Sequence, residues 1–114
     1  MHGLIHWNIP STDLARSREF YHALFGWKTR SYVPDYALFS VRGGPGGGFA
    51  KVKRMPRPGI EVYIEVADIE ATLRKAVKLG GKRAQPKMAI WGGMGFMAAL
   101  LDPCGCRIGL WSKR

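Results

Sequence analysis

From Glu61 to Val66 the chain alternates polar and aliphatic positions, with Glu61, Tyr63 and Glu65 on one face and Val62, Ile64 and Val66 on the other. A two-residue period with one apolar face predicts a strand packed on one side only. The period then lengthens to that of a helix. Asp68 offers a carboxylate to the first free amides, Ile69, Leu73, Ala76 and Leu79 follow helical spacing, and Gly80-Gly81 ends the run. The start of the chain reads the same way. Ile5, Trp7 and Ile9 alternate with Leu4, His6 and Asn8, Thr12 or Asp13 caps a helix with Leu14, Tyr21 and Leu24 as its buried stripe, and Gly26 terminates it.

Laying residues 6–26 over 61–81 aligns Ile9 with Ile64, Asp13 with Asp68, Leu24 with Leu79 and Gly26 with Gly81. The matches fall on the positions that punctuate structure, so two copies of one unit are implied, at about 1–54 and 59–114 of a single domain spanning 1–114. After each helix come three short strand-like runs: 27–33, 36–41 and 49–52, then 82–87, 96–101 and 107–111. Chain reversals separate them at Pro34-Asp35, the glycine run 43–48, Trp91-Gly-Gly93 and Asp102-Pro-Cys-Gly105. The glycine run lacks the Gly-Lys-Ser/Thr ending and the following helix of a phosphate loop, and is expected to be a turn. The order is strand-helix-strand-strand-strand, twice.

A chain of 114 residues can bury a modest core, and association with a second copy would bury more. No apolar run approaches the roughly 20 residues of a membrane span, and Gly3, His6 and Asn8 interrupt any signal-like segment. A cytoplasmic protein is expected. Cys104 and Cys106 are too close in sequence for a useful disulfide and have no further Cys or His beside them to complete a tetrahedral metal set, so a plain hairpin turn in a reducing compartment is expected. Eighteen Lys and Arg against eight Asp and Glu give a formal charge of +10, which favours anionic or neutral ligands over cationic ones. The basic residues are spread along the chain rather than massed on one helix, so a solvated basic surface is the expectation and nucleic acid is not.

Two such units, with His6 seven residues ahead of Asp13, the helix segment DLARSREFYHALFGW and the closing DPCGCRIGLW, resemble the vicinal oxygen chelate superfamily of glyoxalase I, extradiol dioxygenases and bleomycin-resistance proteins. The resemblance covers the whole chain. It implies an α+β fold in which two tandem βαβββ units form a cup-shaped mixed sheet with the helices outside, and a homodimer. The family's metalloenzymes draw ligands from the first and last strands of each unit. His6 and Glu61 stand at the two first-strand positions, since Glu61 also precedes its cap by seven residues. The two last-strand positions fall at Gly109 and near Gly48, which have no side chain. Catalytic divalent sites use about three protein ligands, so the cofactor expectation is either none or a divalent ion on His6 and Glu61 with an incomplete set.

Alternation places His6 and Asn8 on the open face of the first strand, Glu61 and Tyr63 on that of the fifth, and Arg107 and Trp111 on that of the last. His6, Glu61 and Tyr63 are the candidates for moving protons. Asn8, Arg107 and Trp111 are candidates for holding a ligand, the arginine by bidentate pairing with an oxyanion and the tryptophan by stacking. Two functions stay open: a lyase or isomerase acting on a small, anionic or neutral oxygenated metabolite, or a non-catalytic small-molecule binding or resistance-type protein.

Overall fold

The computed structural model describes residues 2–56, 59–103 and 106–114. The chain runs β1 (Leu4–Ser11), α1 (Leu14–Phe25), β2 (Lys28–Val33), β3 (Tyr36–Ser40), β4 (Gly47–Lys51), β5 (Glu61–Glu65), α2 (Ile69–Lys78), β6 (Lys82–Ala89), β7 (Phe96–Leu101) and β8 (Arg107–Ser112). This is the α+β order read from the hydrophobic pattern, βαβββ twice. It folds as two compact units, His6–Glu61 and Met1–Ile5 with Val62–Arg114. Cys104 and Gly105 of the expected hairpin turn, and Arg57 of the basic segment, lie outside the described residues. Among those that are described, no helix is long and apolar enough to cross a membrane.

In the His6–Glu61 unit, β1 pairs parallel with β4, β4 antiparallel with β3, and β3 antiparallel with β2. Asp13 caps α1, its carboxylate accepting from the Arg16 amide at 3.1 Å, while the buried Ser11 hydroxyl accepts from the Asp13 amide. Gly26 ends the helix at φ 75°, a left-handed conformation that disfavours any side chain with a Cβ. The core beneath α1 is aromatic. Trp27 stacks on Phe39 at 4.7 Å between ring centres, Tyr21 stacks on Trp27 at 5.1 Å, Phe49 meets both Tyr21 and Phe39, and Trp7 lies edge-on to Trp27 and Phe39. Such ring pairs add about 0.5–1.5 kcal/mol each beyond the apolar area they bury.

In the other unit, β5 pairs parallel with β8, and β8, β7 and β6 follow antiparallel. Residues before β1 join this unit: Gly3 O accepts from Glu65 N at 3.0 Å and His2 N donates to Glu65 O. Asp68 caps α2, accepting from the Ala71 amide at 3.0 Å, and Gly80 follows the helix at φ 100°. Ile69 and Leu73 are fully buried against Val66, Ala98 and Leu110, an aliphatic counterpart to the aromatic core of the other unit.

Three expectations need correction. Leu24 is 58% exposed, because Tyr21 and Trp27 already fill the space between the end of α1 and the sheet. Leu79 is 70% exposed, because α2 stops at Lys78 and the cap residue no longer follows the helical spacing. The glycine run is a turn only in part: Gly47 and Gly48 are buried residues of β4. A Cβ at Gly47 would collide with the Trp7 carbonyl and come within 2.8 Å of the Phe39 ring, so only glycine permits β1 and β3 to close on β4 there.

These positions predict a contrast in urea unfolding. Leu73→Ala should cost about 2–5 kcal/mol, whereas Leu79→Ala should stay within about 0.5 kcal/mol of the parent.

Candidate functional site

In the His6–Glu61 unit, one face of the sheet carries the aromatic core and the opposite face carries the polar chemistry. Trp7 belongs to the core, so strict alternation turns His6 and Asn8 to the opposite face. Asn8 pairs with Gly48, Gly48 with Leu38, and Tyr36 shares the face of Leu38 two residues along β3. These registers bring three side chains together. His6 Nε2 lies 2.7 Å from the Tyr36 hydroxyl and 3.0 Å from Asn8 Oδ1, and the Tyr36 hydroxyl donates to Asn8 Oδ1 at 2.6 Å. With the phenol proton directed at Asn8, the phenol oxygen is left to accept from His6, which assigns a proton to Nε2.

Tyr36 reaches His6 because position 48 is empty of side chain. A Cβ built on Gly48 would fall inside the Tyr36 phenol, touching its hydroxyl, Cζ and Cε2. The same substitution of ring for side chain occurs in the other unit. Tyr63 lies opposite Gly109 across the β5–β8 pair, and a Cβ there would come within 2.5 Å of Tyr63 Cδ1 and 2.9 Å of the Val62 carbonyl. The resemblance expects carboxylate ligands at Gly109 and near Gly48. At each of these two glycines a neighbouring tyrosine ring lies where a side chain would project.

The other sequence-derived candidates fall as follows. Arg107 and Trp111 share the Gly109 face of β8. Arg107 donates to Gln85 Oε1 at 3.1 Å, and Trp111 Nε1 donates to the Met94 carbonyl at 2.9 Å. Glu61 opens β5 and is exposed. Among the described residues no group of three or more His, Cys, Asp or Glu is placed to hold a metal ion. A family-type divalent centre therefore does not fit the donors present: two of its positions lack side chains, and His6 Nε2 is engaged by Tyr36 and Asn8. Tyr36 is the site residue that sequence reasoning missed. Its place depends on the β3–β4 register, which no local pattern in the sequence gives.

Burial lowers the His6 pKa below its ordinary value, and the hydrogen bond with Asn8 offsets part of that by raising it. A group whose folded pKa is depressed by burial binds fewer protons when folded than when unfolded. The stability tied to neutral His6 is present above the unfolded pKa, about 6.5, and is lost as pH falls toward the folded value.

A model of the Glyoxalase/Bleomycin resistance protein/Dioxygenase superfamily matches residues 3–110. The putative glyoxylase CFP32 of Mycobacterium bovis is 32% identical over 114 aligned residues, covering 91% of this chain and 43% of the relative. The chain thus spans less than half the length of that curated relative. Among solved structures, methylmalonyl-CoA epimerase from Mycobacterium tuberculosis is similar with a TM-score of 0.77 at 19% identity, covering 96% of this chain and 87% of its own. The Mn(II)-bound glyoxalase from Novosphingobium aromaticivorans is similar at 0.72 and 14%, covering 98% of this chain and 39% of that one. At such identities the likeness is one of fold.

Two outcomes test this geometry. In an NMR titration the His6 imidazole should protonate below its ordinary value, and Asn8→Ala should move it lower still. An upward movement in Asn8→Ala would contradict the assigned role of the amide. Gly48→Ala should cost about 1–3 kcal/mol through overpacking, and Tyr36→Ala introduced beside it should relieve most of that penalty in a double-mutant cycle.

Proposed function

We propose that this chain, which belongs to the Glyoxalase/Bleomycin resistance protein/Dioxygenase superfamily, binds a small oxygenated metabolite, neutral or anionic, at the His6–Asn8–Tyr36 triangle rather than at a divalent ion. The observation that carries this reading is the Tyr36 phenol, which stands where a ligand side chain at Gly48 would stand and closes hydrogen bonds with His6 and Asn8. A hydroxyl or carbonyl oxygen arriving at the triangle can exchange places with one of these hydrogen bonds at little net cost, because each donor and acceptor remains paired. His6 is held neutral by burial. When an arriving ligand replaces its bond to Tyr36 and the imidazole proton moves to Nδ1, Nε2 becomes a base able to take a proton from carbon or oxygen, and the Tyr36 hydroxyl is a donor able to support the resulting oxyanion. This chemistry is of the lyase or isomerase type.

Glu61 and Tyr63 are assigned to proton movement as well, and Asn8, Arg107 and Trp111 to ligand contact, on the strength of their places on the strand faces. The proposal includes a cytoplasmic setting, supported by cysteine usage, and a homodimer, supported by the exposed Phe20, Leu24 and Phe25 of α1. A second reading, sequestration without turnover, is favoured by the loss of both carboxylate positions at Gly48 and Gly109.

Titration with lactate and pyruvate in deuterated water separates these readings. The expected result is chemical-shift change centred on His6, Asn8 and Tyr36, about tenfold weaker binding in Tyr36→Phe, and α-proton exchange that persists with a chelator present and is absent in His6→Gln. Binding without exchange would select sequestration. Shifts that avoid the triangle, or that His6→Gln and Tyr36→Phe leave unaltered, would overturn both.

A further inference from the structure

The cross-strand row that begins at Asn8 continues through Gly48 and Leu38 to Arg30. All four residues lie on one face of the His6–Glu61 sheet, because directly paired residues on neighbouring strands point the same way. Lys28 pairs with Ser40 on that face as well. A shallow cavity opens at this end of the row, lined by Lys28, Thr29, Arg30, Leu38, Phe39 and Ser40. Thr29 and Phe39 belong to the opposite face, where the Arg18 guanidinium donates to the Thr29 hydroxyl and Phe39 joins the aromatic core. The side chains presented to the cavity from the open face are therefore two cations, a hydroxyl and an aliphatic floor.

Neither cation has a side-chain hydrogen bond or ion pair among the described residues; the ion pair found there is Arg83 with Glu70, in the other unit. Lys28 and Arg30 are exposed and available at the cavity. Three inter-strand steps separate β2 from β1, which is roughly 14 Å of sheet at the usual spacing. The side chains between are Leu38 and the Tyr36 ring over Gly48, a low and largely apolar strip. A ligand following this row would meet hydrogen-bonding groups at one end, apolar contact in the middle and positive charge at the other end.

We propose that Lys28 and Arg30 bind the phosphate group of an elongated phosphate ester whose oxygenated end occupies the His6–Asn8–Tyr36 triangle. The ligand class deepens the reading given above and rests on it for the second half of the statement; the phosphate subsite stands by its own residues. A phosphate monoester carries about two negative charges near neutral pH, which two adjacent cations match better than they match a single carboxylate. The guanidinium of Arg30 supplies the forked donors suited to two phosphate oxygens, Lys28 supplies a second charge, and the Ser40 hydroxyl is within the same lining.

The test is a backbone-amide NMR titration of the full chain with inorganic phosphate at constant ionic strength, with acetate as the carboxylate control. Saturable shifts confined to residues 28–30 and 38–40 are expected, at least about tenfold weaker in the Lys28→Ala/Arg30→Ala double variant and weaker for acetate than for phosphate. Both substituted residues are exposed, and unaltered spectra elsewhere confirm that the fold is kept. Tyr36→Phe should leave phosphate binding unchanged, so failure of the triangle as a ligand site would not erase these shifts. Unsaturable shifts spread over the basic segments 51–54 and 74–83, equal response to acetate, or phosphate binding unaltered in the double variant would each overturn the subsite.

Discussion

The Tyr36 phenol lies where a side chain at Gly48 would project, and the two cannot coexist. Much of the open face of this unit depends on that exclusion. Gly48 is paired with Asn8 on one side and Leu38 on the other, so removing its side chain opens a slot beside β1. Tyr36 comes diagonally from β3 to fill the slot, and its hydroxyl arrives within 2.7 Å of His6 Nε2. Any side chain at position 48 would push the phenol out of this slot. The hydrogen-bonded triangle thus depends on one backbone position without a Cβ.

The aromatic core on the other face supports this arrangement. Trp7 alternates with His6 and Asn8 on β1, and its ring is held by Trp27 and Phe39 while its indole N–H donates to the Pro45 carbonyl at 3.0 Å. Rings fixed on one face of a strand fix the residues of the other face by alternation. The triangle therefore inherits its position from packing that it does not touch. The second unit reaches a comparable replacement by a shorter route, with Tyr63 directly opposite Gly109 instead of diagonal to it.

The architecture was legible in the sequence because its signals are local. Asp13 and Asp68 cap the helices that alternation and spacing predict, and the α+β order follows from them. Leu24 and Leu79 were misread because helical spacing records which way a side chain points and not whether a partner element reaches it. Gly47 and Gly48 were read as turn, since nothing local distinguishes a loop glycine from one required by a neighbouring strand's close approach. The site was half legible. His6 and Asn8 of the candidate triangle followed from alternation. Tyr36 did not, because it meets His6 through a register between strands thirty positions apart. Arg30 joined the same row only once the pairing of β2, β3, β4 and β1 was known.

The proposed engagement of His6 Nε2 by Tyr36 and Asn8 in place of a metal ion is the central claim, and it is tested most directly by titrating Zn(II) while observing the His6 imidazole nitrogens by NMR. The expected result is an Nε2 signal that keeps its protonated, Tyr36-bonded character throughout the titration, with no stoichiometric complex at micromolar metal. Stoichiometric micromolar binding that deprotonates Nε2 and is lost in His6→Gln would contradict it.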